Sequence, residues 1–250
     1  MRLRPFSLVA IFALVATLLS GSALSAGATS PSSWLPSCTG AAGADYLAVV
    51  TDSASERSRT IISQRESRLA QFAATAFACR GTLQVIFDPA QSQAQVLYSG
   101  TITVHAATEI AYQRLGGRQF DTEILPAIED SLKRAESHPA PKDGTPVSAF
   151  EILAEDRSKG ELNALVLSDM IETDPSVNLD QPLTAAQAQA LAASVTVPRL
   201  PHAVITIAGV GATSDPTPAP DDWLGAVRTF AEAVCTKTGA RCRTTTQIES

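Results

Sequence analysis

The side chains of this sequence with chemical potential are few, and most follow short apolar runs. Asp52-Ser53-Ala54-Ser55 follows one such run, Ser168-Asp169 a second and Gly209-Val210-Gly211 a third, while Thr145 stands just before Pro146 at the start of a helical pattern. In an open α/β sheet, ligands bind at the carboxyl ends of the strands, so these are the positions to weigh. They also have ordinary uses. Asp52, Asp169 and Thr145 can cap turns and helix starts, and the hydroxyls of Ser53 and Ser55 can bond local backbone amides. Gly209 and Gly211 do not make a dinucleotide loop, because they follow a late apolar run, lack a third glycine and lead into a Pro-rich loop. His105, His138 and His202 are scattered, and only His138 falls in a loop near Thr145. No G-x-S-x-G elbow marks a serine hydrolase. The charged run Glu129 to Glu136 reads as a solvated helix face with opposite charges at helical spacing.

The elements that must position these residues alternate. Tyr46 to Thr51, Leu162 to Leu167 and Ala203 to Ala208 are short, apolar and β-branched, as buried parallel strands are. Leu83 to Phe87 and Gln95 to Val104 read as two further strands around an Asp88-Pro89 turn, and Arg243 to Ile248 as a short final edge strand. Between them, Ile61 to Cys79 carries apolar residues at three-and-four spacing, the mark of an amphipathic helix. Thr108 to Ser137 reads as helix in two pieces broken at Gly116-Gly117. Pro146 to Asp156, Pro182 to Val195 and Asp221 to Thr236 read as helices, with Thr145 and Pro146 as start signals for the first. Strands alternating with helices predict an α/β fold with a doubly wound, mostly parallel sheet. No internal repeat and no second domain is visible.

The N-terminus has the three parts of a secretory signal peptide: basic Arg2 and Arg4, an apolar run of about 14 residues from Phe6 to Leu19, and a small-residue zone toward Ala28. Residues 1–28 are read as that signal, 29–44 as a Ser-, Pro- and Gly-rich lead-in expected to be flexible, and 45–250 as the domain. With no further long apolar stretch, the mature chain is expected to have no membrane span and to be secreted or held in the cell envelope. The alanine and arginine bias suggests a GC-rich genome. A formal charge of −6 argues against nucleic acid as a partner. Cys38, Cys79, Cys235 and Cys242 lack C-x-x-C spacing and a histidine cluster, which disfavours zinc. An even cysteine count in an exported chain points to two disulfides. A helix returns antiparallel to its strand, so its end lies near the strand's start. Pairing Cys38 with Cys79 and Cys235 with Cys242 is therefore favoured among the three connectivities.

A first strand ending in Asp-Ser-Ala-Ser, the Gly144-Thr145 step, LVLSD at Leu165 to Asp169 and ITIAGVG at Ile205 to Gly211 together resemble the von Willebrand factor A (VWA) domain family. The resemblance runs in element order from about Tyr46 to Cys242 and implies a VWA-like sheet flanked by helices. In that family an Asp-x-Ser-x-Ser loop, a distant Thr and an Asp hold a divalent cation whose open position takes a partner's carboxylate. The resemblance implies Asp52, Thr145 and Asp169 as metal ligands for Mg²⁺, Mn²⁺ or Ca²⁺. The serine positions depart from the pattern, being held by Ala54 and Glu56. Ser53 and Ser55 reach an ion only if the loop shifts by one residue; otherwise the site is eroded. The implied function is a non-enzymatic module that binds a protein partner, with a cation assisting where the site works. A second reading is a metal-dependent hydrolase using Asp52 and Asp169, with Glu56, Glu172 or His138 as its base or nucleophile. A third is a metal-free assembly relative.

Overall fold

Apolar β-branched runs that are buried on both faces belong at the centre of a parallel sheet, and that is where this chain puts them. The computed structural model describes residues 34–53, 56–89, 93–139, 145–155, 160–174, 177–214 and 219–248, all within the compact unit Ser32–Ser250. The strands are β1 (Asp45–Thr51), β2 (Thr82–Asp88), β3 (Gln95–Gly100), β4 (Leu162–Leu167), β5 (Thr173–Asp174), β6 (Val177–Asn178), β7 (Ala203–Ala208) and β8 (Arg241–Thr245). Six of them form one sheet in the order β3-β2-β1-β4-β7-β8, with β5 and β6 as a separate small hairpin. Every pairing in the large sheet is parallel except that of β2 with the edge strand β3.

The helices are α1 (Arg59–Ala78), α2 (Glu109–Gln119), α3 (Leu125–Glu136), α4 (Ser148–Glu155), α5 (Ala185–Ser194) and α6 (Asp221–Lys237). Alternate residues of β1 serve the two layers. Leu47 and Val49 pack with Phe150, Leu153 and Phe230 of α4 and α6, whereas Ala48 and Val50 pack with Leu69, Phe77 and Ile128 of α1 and α3. This is a doubly wound α/β arrangement with helices on both faces. The strand order reverses between β1 and β4, so the loops after these two strands flank the topological switch point.

Several element boundaries differ from the sequence-based expectation. The strand expected to reach Val104 ends at Gly100, because β2 begins at Thr82 and its ladder runs out at the Leu83–Gly100 pair. Gly116-Gly117 does not break its helix. Both glycines are buried inside α2, and a Cβ at Gly116 would lie 2.9 Å from the Leu35 side chain. The irregularity comes later, as a π-helical turn at Phe120–Ile124 that buries both of its end residues. The helix expected from Pro146 starts at Ser148, after a turn closed by the Ser148 amide on the Thr145 carbonyl. The last strand comes earlier than Arg243–Ile248, pairing Cys242 with Ile205. Ile248 instead folds back beside Gly209, where a Cβ would meet its side chain at 3.1 Å. The β5–β6 hairpin is too short to leave a periodicity.

The expected cysteine pairs are the ones present: Cys38 with Cys79 and Cys235 with Cys242. Both sit at the strand-start end of the sheet. The first also anchors the segment ahead of β1, where Leu35 is buried and its amide bonds the Gln113 carbonyl. The bridges span sequence separations of 41 and 7. Loop-closure entropy then predicts losses of about 4 kcal/mol for a Cys38→Ser/Cys79→Ser variant and about 2.5 kcal/mol for Cys235→Ser/Cys242→Ser. Urea denaturation of the two variants checks this; the opposite ranking would contradict it.

Candidate functional site at the strand carboxyl ends

β1 delivers Asp52 and Ser53 to the switch point, and both are buried. The Asp52 amide donates to the Asp88 carbonyl and so extends the β1–β2 ladder by one bond. Ala54 and Ser55 lie outside the described residues. Glu56 re-enters with its amide on the Ser53 carbonyl, and α1 then opens under the side-chain cap of Ser58. Two turns into α1, Arg65 lies on the buried face with 2% exposure, as little as Glu56.

The Arg65 guanidinium pairs with the Glu56 carboxylate and also donates to the carbonyls of Thr51, at 2.9 Å, and Leu167, at 3.3 Å. Those carbonyls end β1 and β4. The Glu56 carboxylate accepts the Asp169 amide at 2.9 Å. The Ser53 hydroxyl lies 3.1 Å from Glu56 and 3.3 Å from Asp169 and donates to one of them at a time. Asp169 in turn accepts the Ile171 amide at 2.9 Å, and the Ser168 hydroxyl accepts that of Met170 at 3.0 Å. These two short-range bonds hold the loop after β4, where fully buried Met170 takes a left-handed φ of 56°. A non-glycine residue persists there only when its surroundings over-determine it.

Asp52 has a cation of its own. The Arg57 guanidinium grips both carboxylate oxygens, Nε at 2.7 Å from Oδ1 and Nη2 on Oδ2, in the fork geometry that favours Arg over Lys. The same guanidinium donates to the carbonyls of Glu136 and His138 at the end of α3, the negative end of that helix. Asp52 is thereby tied to α3 through Arg57.

Burial pushes the Glu56 carboxyl up, while the adjacent Arg65 guanidinium and the Asp169 amide pull it back toward the charged form. Glu172 is pushed up to about 7, again by burial, opposed by the amides of Asp174, Val147 and Thr173. It lines a separate cavity of about 500 Å³ together with Thr145, Val147 and Val177. The Thr145–Ser148 turn meets the end of the sheet through the Ser148 hydroxyl, which bonds the Asp88 carboxylate. His138 is exposed, and its contact here is a backbone carbonyl.

Of the residues proposed as metal ligands, the structure joins Ser53 directly to Asp169, gives Asp52 to Arg57 and sets Thr145 beside the Glu172 cavity; Ser55 lies outside the described residues. Both Asp52 oxygens are held by a guanidinium, and the Asp169 carboxylate serves its own loop and Ser53. Among the described residues, no group of three or more His, Cys, Asp or Glu side chains is placed to hold a metal ion. Arg57 and Arg65 are the residues that motif reading missed. Arg65 left a signal: it shares a helical stripe with Leu69, Ala73 and Ala76, and a charge on an apolar stripe demands a buried partner.

No protein-family model and no curated protein matches this chain. Among solved structures it is similar to a conserved hypothetical protein, BatB, from Bacteroides thetaiotaomicron, with 10% identity, a TM-score of 0.35 and coverage of 82% of this chain and 91% of that one. It is also similar to the human COPII-coat protein Sec24c, at 11% identity and TM-score 0.37, over 84% of this chain and 30% of that one. A third is the minimal Ste5 VWA domain, whose structure is described as subject to autoinhibition by the Ste5 PH domain, at 13% identity and TM-score 0.28, over 78% and 87%.

The Glu56–Arg65 pair gives a quantitative test. Removing one partner strands a buried charge, so Arg65→Met should cost about 3–5 kcal/mol, while adding Glu56→Leu should recover much of that loss. A double-mutant cycle by urea denaturation measures the coupling. Additive losses would show that the two side chains act independently.

Proposed function

We propose that this chain is an exported, non-enzymatic module that binds a protein partner without the help of a divalent cation. The observation that carries the reading is the grip of Arg57 on both oxygens of Asp52, which puts a guanidinium of the protein itself where the sequence pattern calls for a metal. A cation entering there would have to displace a bidentate ion pair that is also bonded to the end of α3.

The N-terminal signal pattern and the two disulfides both support an oxidising location, the cell envelope or the exterior. No helix among the described residues is long and apolar enough to cross a membrane. The hydrolase reading is disfavoured by the same geometry. Glu56 is committed to Arg65, and the contact His138 makes here is through its carbonyl. Glu172, the remaining acid, belongs to a separate cavity.

The test is affinity capture with the disulfide-bonded chain as bait, run in chelator and again in millimolar Mg²⁺. A stoichiometric protein partner retained equally under both conditions is expected. Retention only with Mg²⁺ would contradict cation-free binding, and the lack of any retained partner would contradict the module itself.

A further inference from the structure

Parallel strands are normally covered on both faces, yet among the described residues nothing covers part of this sheet. On the α1 side, the face over β4, β7 and β8 forms the floor of a depression of about 510 Å³, with Arg68 and Phe72 of α1 along one wall. A second depression, of about 590 Å³, adjoins it and shares Arg68, Thr206 and Arg243. The ladder explains which residues meet there. Asn163 pairs with Val204 and Val204 with Arg241, while one row further on Thr206 pairs with Arg243.

This floor is polar and cationic, which is wrong for a face awaiting an apolar helix and right for an anionic occupant. Arg241 and Arg243 are exposed, and among the described residues neither side chain makes a hydrogen bond or ion pair. Alternate residues of a parallel strand stand about 6.6 Å apart on one face, the spacing of side chains at alternate positions in any extended chain. Tyr46 adds a donor at the strand-start end: it is 3% exposed, it lines the first depression, and among the described residues its hydroxyl has no partner. Glu161 lines the first depression and Glu232 the second, while Arg68 and Arg243 line both. The two depressions adjoin at Arg68, Thr206 and Arg243 and make one trough that reaches the edge strand β8.

We propose that this trough binds an extended acidic segment of a protein partner, with carboxylates at alternate positions facing Arg241 and Arg243 and Arg68 completing the opposite wall. The charge complementarity is local, since the chain as a whole carries −6. The proposal rests on the reading of the protein as a protein-binding module and goes beyond it by naming the surface and the partner's chemistry.

The experiment is fluorescence anisotropy with the full disulfide-bonded chain and a labelled peptide alternating Glu and Thr. Twelve residues, about 40 Å at roughly 3.3 Å per residue, more than cover the five-residue edge strand β8. Saturable binding is expected, weakened by roughly tenfold or more in Arg241→Glu/Arg243→Glu and unchanged in Arg228→Glu, an exposed charge of α6 on the opposite face. Circular dichroism confirms that the variants fold. No binding, or equal weakening by Arg228→Glu, would overturn the proposal. So would displacement of the peptide by inorganic phosphate or succinate at matched charge, which would mark a site for small anions. Capture of a protein partner by the Arg241→Glu/Arg243→Glu chain as efficiently as by the wild type would overturn the trough while leaving the module reading intact.

Discussion

The ion pair between Glu56 and Arg65 is the interaction on which the functional end of this molecule depends. Taking a carboxylate and a guanidinium out of water costs several kcal/mol per ion, and their attraction offsets that only if the remaining donors and acceptors are also satisfied. Here Arg65 shares the hydrogens of Nη2 among Glu56 and the carbonyls that end β1 and β4, and Glu56 also accepts the amide of Asp169. One buried pair therefore joins α1, the loop after β1 and the loop after β4. The positions of Ser53 and Asp169, and the left-handed turn at Met170, follow from that junction.

Arg57 repeats the device at the rim, binding Asp52 to the end of α3. A metal ion at such a place is exchangeable, and its open coordination position can recruit a partner's carboxylate. A guanidinium built into the chain does neither. It supplies the positive charge permanently, fills the geometry of the carboxylate and leaves the face pre-organised. On the proposed cation-free reading, recognition falls to surface shape and charge elsewhere, and the cationic trough over β4, β7 and β8 offers both.

Much of the fold was legible in the sequence, because buried parallel strands leave uninterrupted apolar runs such as LAVV, ALVL and AVITIA, and helix-to-strand geometry alone sorted the cysteines into pairs. The errors came where tertiary partners decide. Nothing local told that β3 would stop at Gly100 when β2 ran out, or that Gly116 serves close packing against Leu35 and not a break. The candidate site was legible in position but not in chemistry. Asp52 and Asp169 do stand at the switch point, yet Asp52 is held by Arg57, and Asp169 gives its amide to Glu56, the partner of Arg65; neither arginine belongs to a ligand motif. The misplaced charge of Arg65 on an apolar helical stripe was the available clue.

The central claim is that protein guanidinium groups, and not a divalent ion, hold the carboxylates at the strand ends. Titrating Mn²⁺ into the ¹⁵N-labelled chain and following paramagnetic line broadening tests it most directly, because broadening locates an ion residue by residue. The account predicts no localised loss of the amide signals of Asp52, Ser53 and Asp169 at stoichiometric Mn²⁺. Selective bleaching of those three signals, reversed by chelator, would contradict it.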